Sequence, residues 1–165
     1  MNKALSLAVA ATLSCASLNS EAQTMIGKTT DVAAIANGDR MNAETLWAMG
    51  RIGGAAASPD GKTVVYQVGY YSVKQNKSHQ MLYTISSDGK KQCALTTTAA
   101  SETDATWIDG GKRIAFLTGG QLWSMNADGT DRRQLTKSEI DIEGYIFSPD
   151  EKKVILIKSL PYHES

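Results

Sequence analysis

Cysteine is scarce in this chain. Only Cys15 and Cys93 occur in 165 residues, and Cys15 falls in an N-terminal stretch built like a secretory leader. The exported form is therefore expected to keep one thiol and no internal disulfide, so its stability must come from packing and backbone pairing. Cys93 then reads as a small buried apolar residue on a strand rather than a reactive nucleophile. Charge of one sign is also lacking. The 17 basic and 17 acidic residues balance and intermix, leaving no polybasic run to hold phosphates or anionic lipid, which argues against a nucleic-acid partner. Long apolar runs are missing as well. The longest uncharged apolar stretch, Ala4 to Leu13, has about half the length a helix needs to cross a hydrocarbon core, so no membrane span is expected.

That stretch follows Lys3 and leads to Ser20-Glu21-Ala22 before Gln23. A basic start, a short apolar core and small residues at the end make residues 1–22 a signal peptide, cleaved near Ala22, with a periplasmic or secreted product. Acylation of Cys15 is disfavoured, because Thr12 stands where a lipobox carries a large aliphatic residue. Residues 23–40, rich in Ala, Thr, Gly and Asn, read as a linker. Asn42 is placed to cap a short helix from Ala43 to about Gly50, with Glu44 in its first turn and Leu46 and Met49 three apart. Gly53-Gly54 is expected to end that helix and begin the first strand.

What the chain does have is a repeat. Ser58-Pro59-Asp60-Gly61-Lys62 precedes Thr63-Val64-Val65-Tyr66; Gly110-Gly111-Lys112 precedes Arg113-Ile114-Ala115-Phe116; Ser148-Pro149-Asp150-Glu151-Lys152 precedes Lys153-Val154-Ile155-Leu156. The lysines lie 50 and 40 residues apart, whereas Leu82-Tyr83-Thr84-Ile85 and Leu122-Trp123-Ser124-Met125 lie 40 apart. The first unit thus carries about ten extra residues between its second and third strands, and Gly69 to Gln80 is expected to be an extended loop. β-Branched and aromatic residues in these short runs favour strands over helices. Serine, proline, aspartate and glycine in that order meet the demands of a type I turn, Asp88-Gly89 and Asp128-Gly129 turn the chain between third and fourth strands, and Gly119-Gly120 suits a tight hairpin. Two turns depart from the pattern: Ile108-Asp109-Gly110-Gly111 has no Ser-Pro pair, and Glu151 stands where glycine closes the first turn.

Four-stranded units of about 40 residues are the signature of propeller blades. The fold class is therefore all-β: four-stranded antiparallel β-propeller blades over residues 41–165 with a short helix in front. Blade one covers about 53–97, blade two about 104–137, and blade three begins at about 144. Two blades and the start of a third make an incomplete arc. Its open blade face and strand edges are expected to make the chain alone marginal and sticky.

These residues also carry a resemblance. The segments Ser58–Lys62, Gly111–Phe116 and Gln121–Thr136, with Phe147–Lys152 as a third repeat, resemble the propeller repeats of the prolyl oligopeptidase family and of TolB-type proteins. The leader, the capped helix, the first blade with a long hairpin and the compact second blade are similar in order to bacterial dipeptidyl peptidases of that family. The resemblance implies an N-terminal propeller over a C-terminal α/β-hydrolase domain, not present in these residues. It further implies a serine exopeptidase releasing dipeptides from peptide substrates, with small or hydrophobic residues favoured before the cut. The alternative is a non-enzymatic periplasmic propeller of TolB type that binds a protein or peptide.

Such a hydrolase places its nucleophile in G-x-S-x-G, and no serine here has glycine two positions away on both sides. No catalytic residue is assigned, and neither a cofactor nor a metal is expected. His79, in the inserted loop, and His163 read as surface histidines. Asp128-Gly129-Thr130-Asp131 lacks the alternating oxygen ligands of an EF-hand and reads as a turn. Trp107 and Trp123 read as packing between blades. Tyr70-Tyr71 stays open between packing and recognition, since a projecting loop is where binding residues gather.

Overall fold

The computed structural model describes residues 41, 43–72, 76–96 and 98–160. The leader, the linker, Cys15, Asn42 and His163 lie outside the described residues. A short helix, α1 (Ala43–Ala48), leads into ten strands arranged in three antiparallel sheets. The first sheet has the order β1 (Arg51–Ala57), β2 (Thr63–Ser72), β3 (Lys77–Ser86), β4 (Gln92–Ala94). The second repeats it with β5 (Thr103–Ile108), β6 (Arg113–Thr118), β7 (Gln121–Asn126), β8 (Arg133–Gln134). The third consists of β9 (Gly144–Phe147) and β10 (Val154–Ile157). These are repeat-like antiparallel sheets of propeller type.

The repeated sequence works through repeated hydrogen bonds. At the first turn Ser58 Oγ donates to Asp60 Oδ1 at 2.6 Å and accepts from Thr63 N at 3.0 Å, while Gly61 N reaches Ser58 O at 2.8 Å. Ser148 and Asp150 repeat this with Lys153 N at 3.0 Å and Glu151 N at 2.8 Å. Each serine hydroxyl thus serves as donor and acceptor, and each aspartate collects the donors that the turn leaves unpaired. Those bonds hold the carboxyls of Asp60 and Asp150 below their ordinary range, with the serine hydroxyl as the main cause. Glu151 takes φ +56°, close to the +70° of Gly61. Its side chain explains why a non-glycine is kept there: Oε2 accepts from Asp109 N at 2.6 Å. The two departures from the turn pattern meet each other across neighbouring sheets.

The fourth strands share a second device. Thr96 Oγ1 accepts from Leu82 N at 3.0 Å, and Thr136 Oγ1 accepts from Leu122 N at 2.9 Å. A hydroxyl so placed continues the ladder where the outer strand leaves it, satisfying a backbone donor that would otherwise be unpaired.

The pleat sends alternate residues to opposite faces. Between the first and second sheets Val65, Leu82 and Leu95 meet Ile114, Phe116 and Met125, all at most 8% exposed. The other face of the second sheet puts Ala115, Leu117 and Leu122 against Ile142, Tyr145, Phe147 and Leu156. Tyr145 fastens that second seam with its one hydroxyl proton shared between the carbonyls of Ala115, at 2.8 Å, and Asp104. Its burial pushes the phenol up to about 12.

Several expectations need correction. The insertion is not a loop: β2 and β3 pair without interruption from Thr63↔Ser86 to Ser72↔Lys77, because Val68, Tyr70 and Tyr71 are strand formers that simply extend the hairpin. Gly53-Gly54 does not begin the first strand. Strand β1 starts at Arg51, and the glycines lie inside it where the register with β2 shifts between Ile52 and Ala55, the usual place for glycine in an irregular strand. The helix ends at Ala48 rather than Gly50. Cys93, on β4, is disulfide-bonded, and there is no free thiol among the described residues.

Candidate functional site

Extending the first hairpin brings its far end beside α1 and the start of β1. Tyr70 and Tyr71 are adjacent on β2, so the pleat divides them. Tyr70 turns to the sheet face shared by Val68, Met81 and Tyr83, where the Tyr70 and Tyr83 hydroxyls lie 3.1 Å apart. Burial is the main cause of the raised pKa of Tyr83. Tyr71 turns to Trp47 of α1, the two rings meeting edge to face with centroids 5.8 Å apart. Arg51 places its guanidinium 4.7 Å from the Trp47 ring and 4.6 Å from the Tyr71 ring. Two aromatic faces and one cation thus hold one another, a favourable arrangement because the ring faces are electron-rich.

In front of this cluster is an open groove of about 410 Å³ lined by Trp47, Tyr71, Ser72, Asn76, Lys77 and Ser78. It combines an apolar aromatic wall with an ammonium, an amide and hydroxyls, the mixture typical of ligand sites. Neither Arg51 nor Lys77 has an ion-pair partner among the described residues.

The other candidate residues go elsewhere. His79 is a correction: it is 2% exposed on β3, not a surface loop residue. Burial lowers its pKa, opposed by the negative charge of Glu102. Asp128 accepts from Thr130 N at 2.9 Å and Thr130 Oγ1 at 2.6 Å within a turn, and no cluster of metal-ligating side chains occurs among the described residues. Trp107 packs against the first seam and donates Nε1–H to Ala56 O at 2.9 Å. Trp123 packs against the same cluster. No helix among the described residues is long and apolar enough to cross a membrane.

Sequence reasoning missed Glu102. It is fully buried and accepts from Arg132 Nη2 at 3.1 Å and from the hydroxyl of Thr98. Arg132 in turn lies 5.0 Å above the Phe116 ring. The pair ties the loop after the first sheet to the edge of the second, and nothing in either residue's neighbourhood in the sequence announces the other.

Comparison with known proteins finds relatives over most of the chain. Over 119 residues the chain is 43% identical to dipeptidyl-peptidase 5 of Porphyromonas endodontalis, a match covering 70% of this chain and 17% of that protein. Over that stretch the chain is homologous to peptidases of the prolyl oligopeptidase family. It spans under a fifth of the length of this relative. Among solved structures, Pyrococcus horikoshii acylaminoacyl peptidase matches with a TM-score of 0.57 at 14% identity, over 69% of this chain and 18% of that one. A putative TolB from Agrobacterium tumefaciens matches with a TM-score of 0.52 at 20% identity, over 67% of this chain and 39% of that one. At such identities these two likenesses show the fold alone. No family model matches the chain.

Proposed function

We propose that the chain forms the N-terminal part of the propeller of an exported serine exopeptidase that releases dipeptides from peptide N-termini. The observation that carries this reading is the 43% identity to a dipeptidyl peptidase over 119 residues of the chain. In this reading the packed sheets are one wall of a chamber that restricts access to a Ser, Asp and His triad carried outside these residues. The wall does no bond-breaking itself. It excludes folded proteins and admits extended peptides, while the long first hairpin presents the groove beside α1 to whatever enters.

The test is to isolate the natural gene product and offer peptides with free or acetylated N-termini. Removal of two residues at a time from the free peptides alone, with labelling by a serine-reactive phosphonate, is the expected result. A product that is never labelled, yet retains a protein partner through purification, would instead support a TolB-type binding propeller. The repeats by themselves permit this second reading, since a propeller fold does not fix a function.

Export follows from the leader in the same proposal. N-terminal sequencing of the exported product should begin at Gln23. A start at Met1 would overturn cleavage near Ala22.

A further inference from the structure

The groove beside α1 has a chemistry more specific than a general peptide surface. Its wall is the Trp47 and Tyr71 pair, and its mouth carries Lys77 and the Asn76 amide. Arg51 does not line the groove, but its guanidinium holds both rings and adds a second positive charge beside them. Among the described residues the lining contains no carboxylate. An arginine on two rings is already partly desolvated, so a second cation would be repelled and an anion attracted. The volume of about 410 Å³ lies within the range of small-ligand sites.

We propose that this groove is an accessory peptide subsite that takes an acidic side chain next to an aromatic or aliphatic residue. The apolar side chain lies against Trp47 and Tyr71, and the carboxylate meets the Lys77 ammonium and the Asn76 amide. Arg51 acts as a positioning residue, fixing the angle between the rings. The inference rests on the reading that the molecule handles peptides, and it is independent of the hydrolytic chemistry.

The probe is a fluorescent peptide with both ends blocked, containing Phe-Glu, compared with the same peptide containing Phe-Gln and with a Phe-Gln peptide ending in a free carboxylate. Binding to the full chain is followed by fluorescence anisotropy. Exposed ion pairs are worth at most about a factor of five in affinity, so the Phe-Glu peptide should bind roughly threefold to fivefold more tightly than its Phe-Gln counterpart. Raising the salt should erase the difference, because the two charges meet near the surface. Lys77→Gln, on an exposed side chain, should abolish the preference without changing the circular dichroism spectrum. Tyr71→Ala should weaken both blocked peptides alike.

Equal affinity of the two blocked peptides overturns the proposal, as does a preference that survives Lys77→Gln. Tighter binding of the free-carboxylate peptide than of blocked Phe-Glu overturns it too, by marking a chain-end site. Failure of the natural product to cleave any peptide, with the Phe-Glu preference intact, would remove the exopeptidase reading and leave this one standing.

Discussion

Ala115 and Leu117 on β6 stand forty residues before Ile155 and Ile157 on β10, at equivalent places in successive repeats. The first two are 0% and 5% exposed, packed against the third sheet; the second two are 65% and 49% exposed, with Ile146 beside them at 60%. The same pattern of alternation builds both surfaces. What differs is whether another sheet lies opposite. A repeat of this kind prepares apolar faces without burying them, and stability accumulates only at seams between neighbours. The strength of each seam should therefore track what it covers.

The largest effect is expected in the first seam. Phe116 is fully buried between sheets and also carries Arg132 above its ring. Phe116→Ala should cost about 4 kcal/mol, combining lost burial with the cavity left behind. Urea unfolding of the full chain would measure it. A cost below that of removing a single methyl would mean that the two sheets do not unfold as one unit.

Next in size is the buried ion pair across the same seam. Arg132→Met should cost about 3 kcal/mol, because it leaves the Glu102 carboxylate buried beside Thr98 without its cation. The double variant Glu102→Leu with Arg132→Met should recover most of the loss, since an apolar pair needs no desolvation of charge. If the double variant is as unstable as the single one, the pair does more than neutralise itself, and register between the sheets becomes its role.

A smaller effect depends on pH. Burial lowers the pKa of His79 from its ordinary 6.5, so the unfolded chain takes up a proton at a pH where the folded chain does not. Stability should be full above about 6.5, decline as pH falls below it, and level off below the folded value. Glu102, the charged group that opposes the shift, should deepen the decline when changed to Gln. His79→Gln should flatten the profile between pH 7 and 5. A profile unchanged by that substitution would show that another group governs the range.

How much of this was legible in the sequence follows from the range of each interaction. The turns were readable because Ser58 and Asp60, or Ser148 and Asp150, satisfy them within five residues. The strand order was readable for the same reason: each hairpin joins neighbours. The long hairpin was misjudged because polar Ser72, Lys77 and Ser78 look like a loop, yet they pair at the end of the ladder that Val68, Tyr70 and Tyr71 carry outward. His79 was misjudged because its neighbours are Tyr70, opposite it on β2, and Glu102 from the segment after the first sheet, which local pattern cannot supply. Glu102 and Arg132, thirty residues apart, were invisible, since the only clue to either is the other. The groove was half visible: two tyrosines in a projecting segment raised the question, and the pleat answered it by sending Tyr71 alone toward Trp47.

The finest test returns to the two equivalent leucine and isoleucine positions. Leu117→Ala should cost about 2–4 kcal/mol, as a buried aliphatic truncation does, whereas Ile157→Ala should change the stability of the dilute chain by no more than about 0.5 kcal/mol, as an exposed substitution does. The order reverses for association. An exposed row of Ile146, Ile155 and Ile157 invites contact between chains, so sedimentation of the unaltered chain should shift with concentration, while Ile155→Thr combined with Ile157→Thr should remove the shift and leave the unfolding midpoint nearly fixed. Equal losses of stability at Leu117 and Ile157 would show that the far face of the third sheet is covered within the chain itself, and the contrast between seam and open face would then fail.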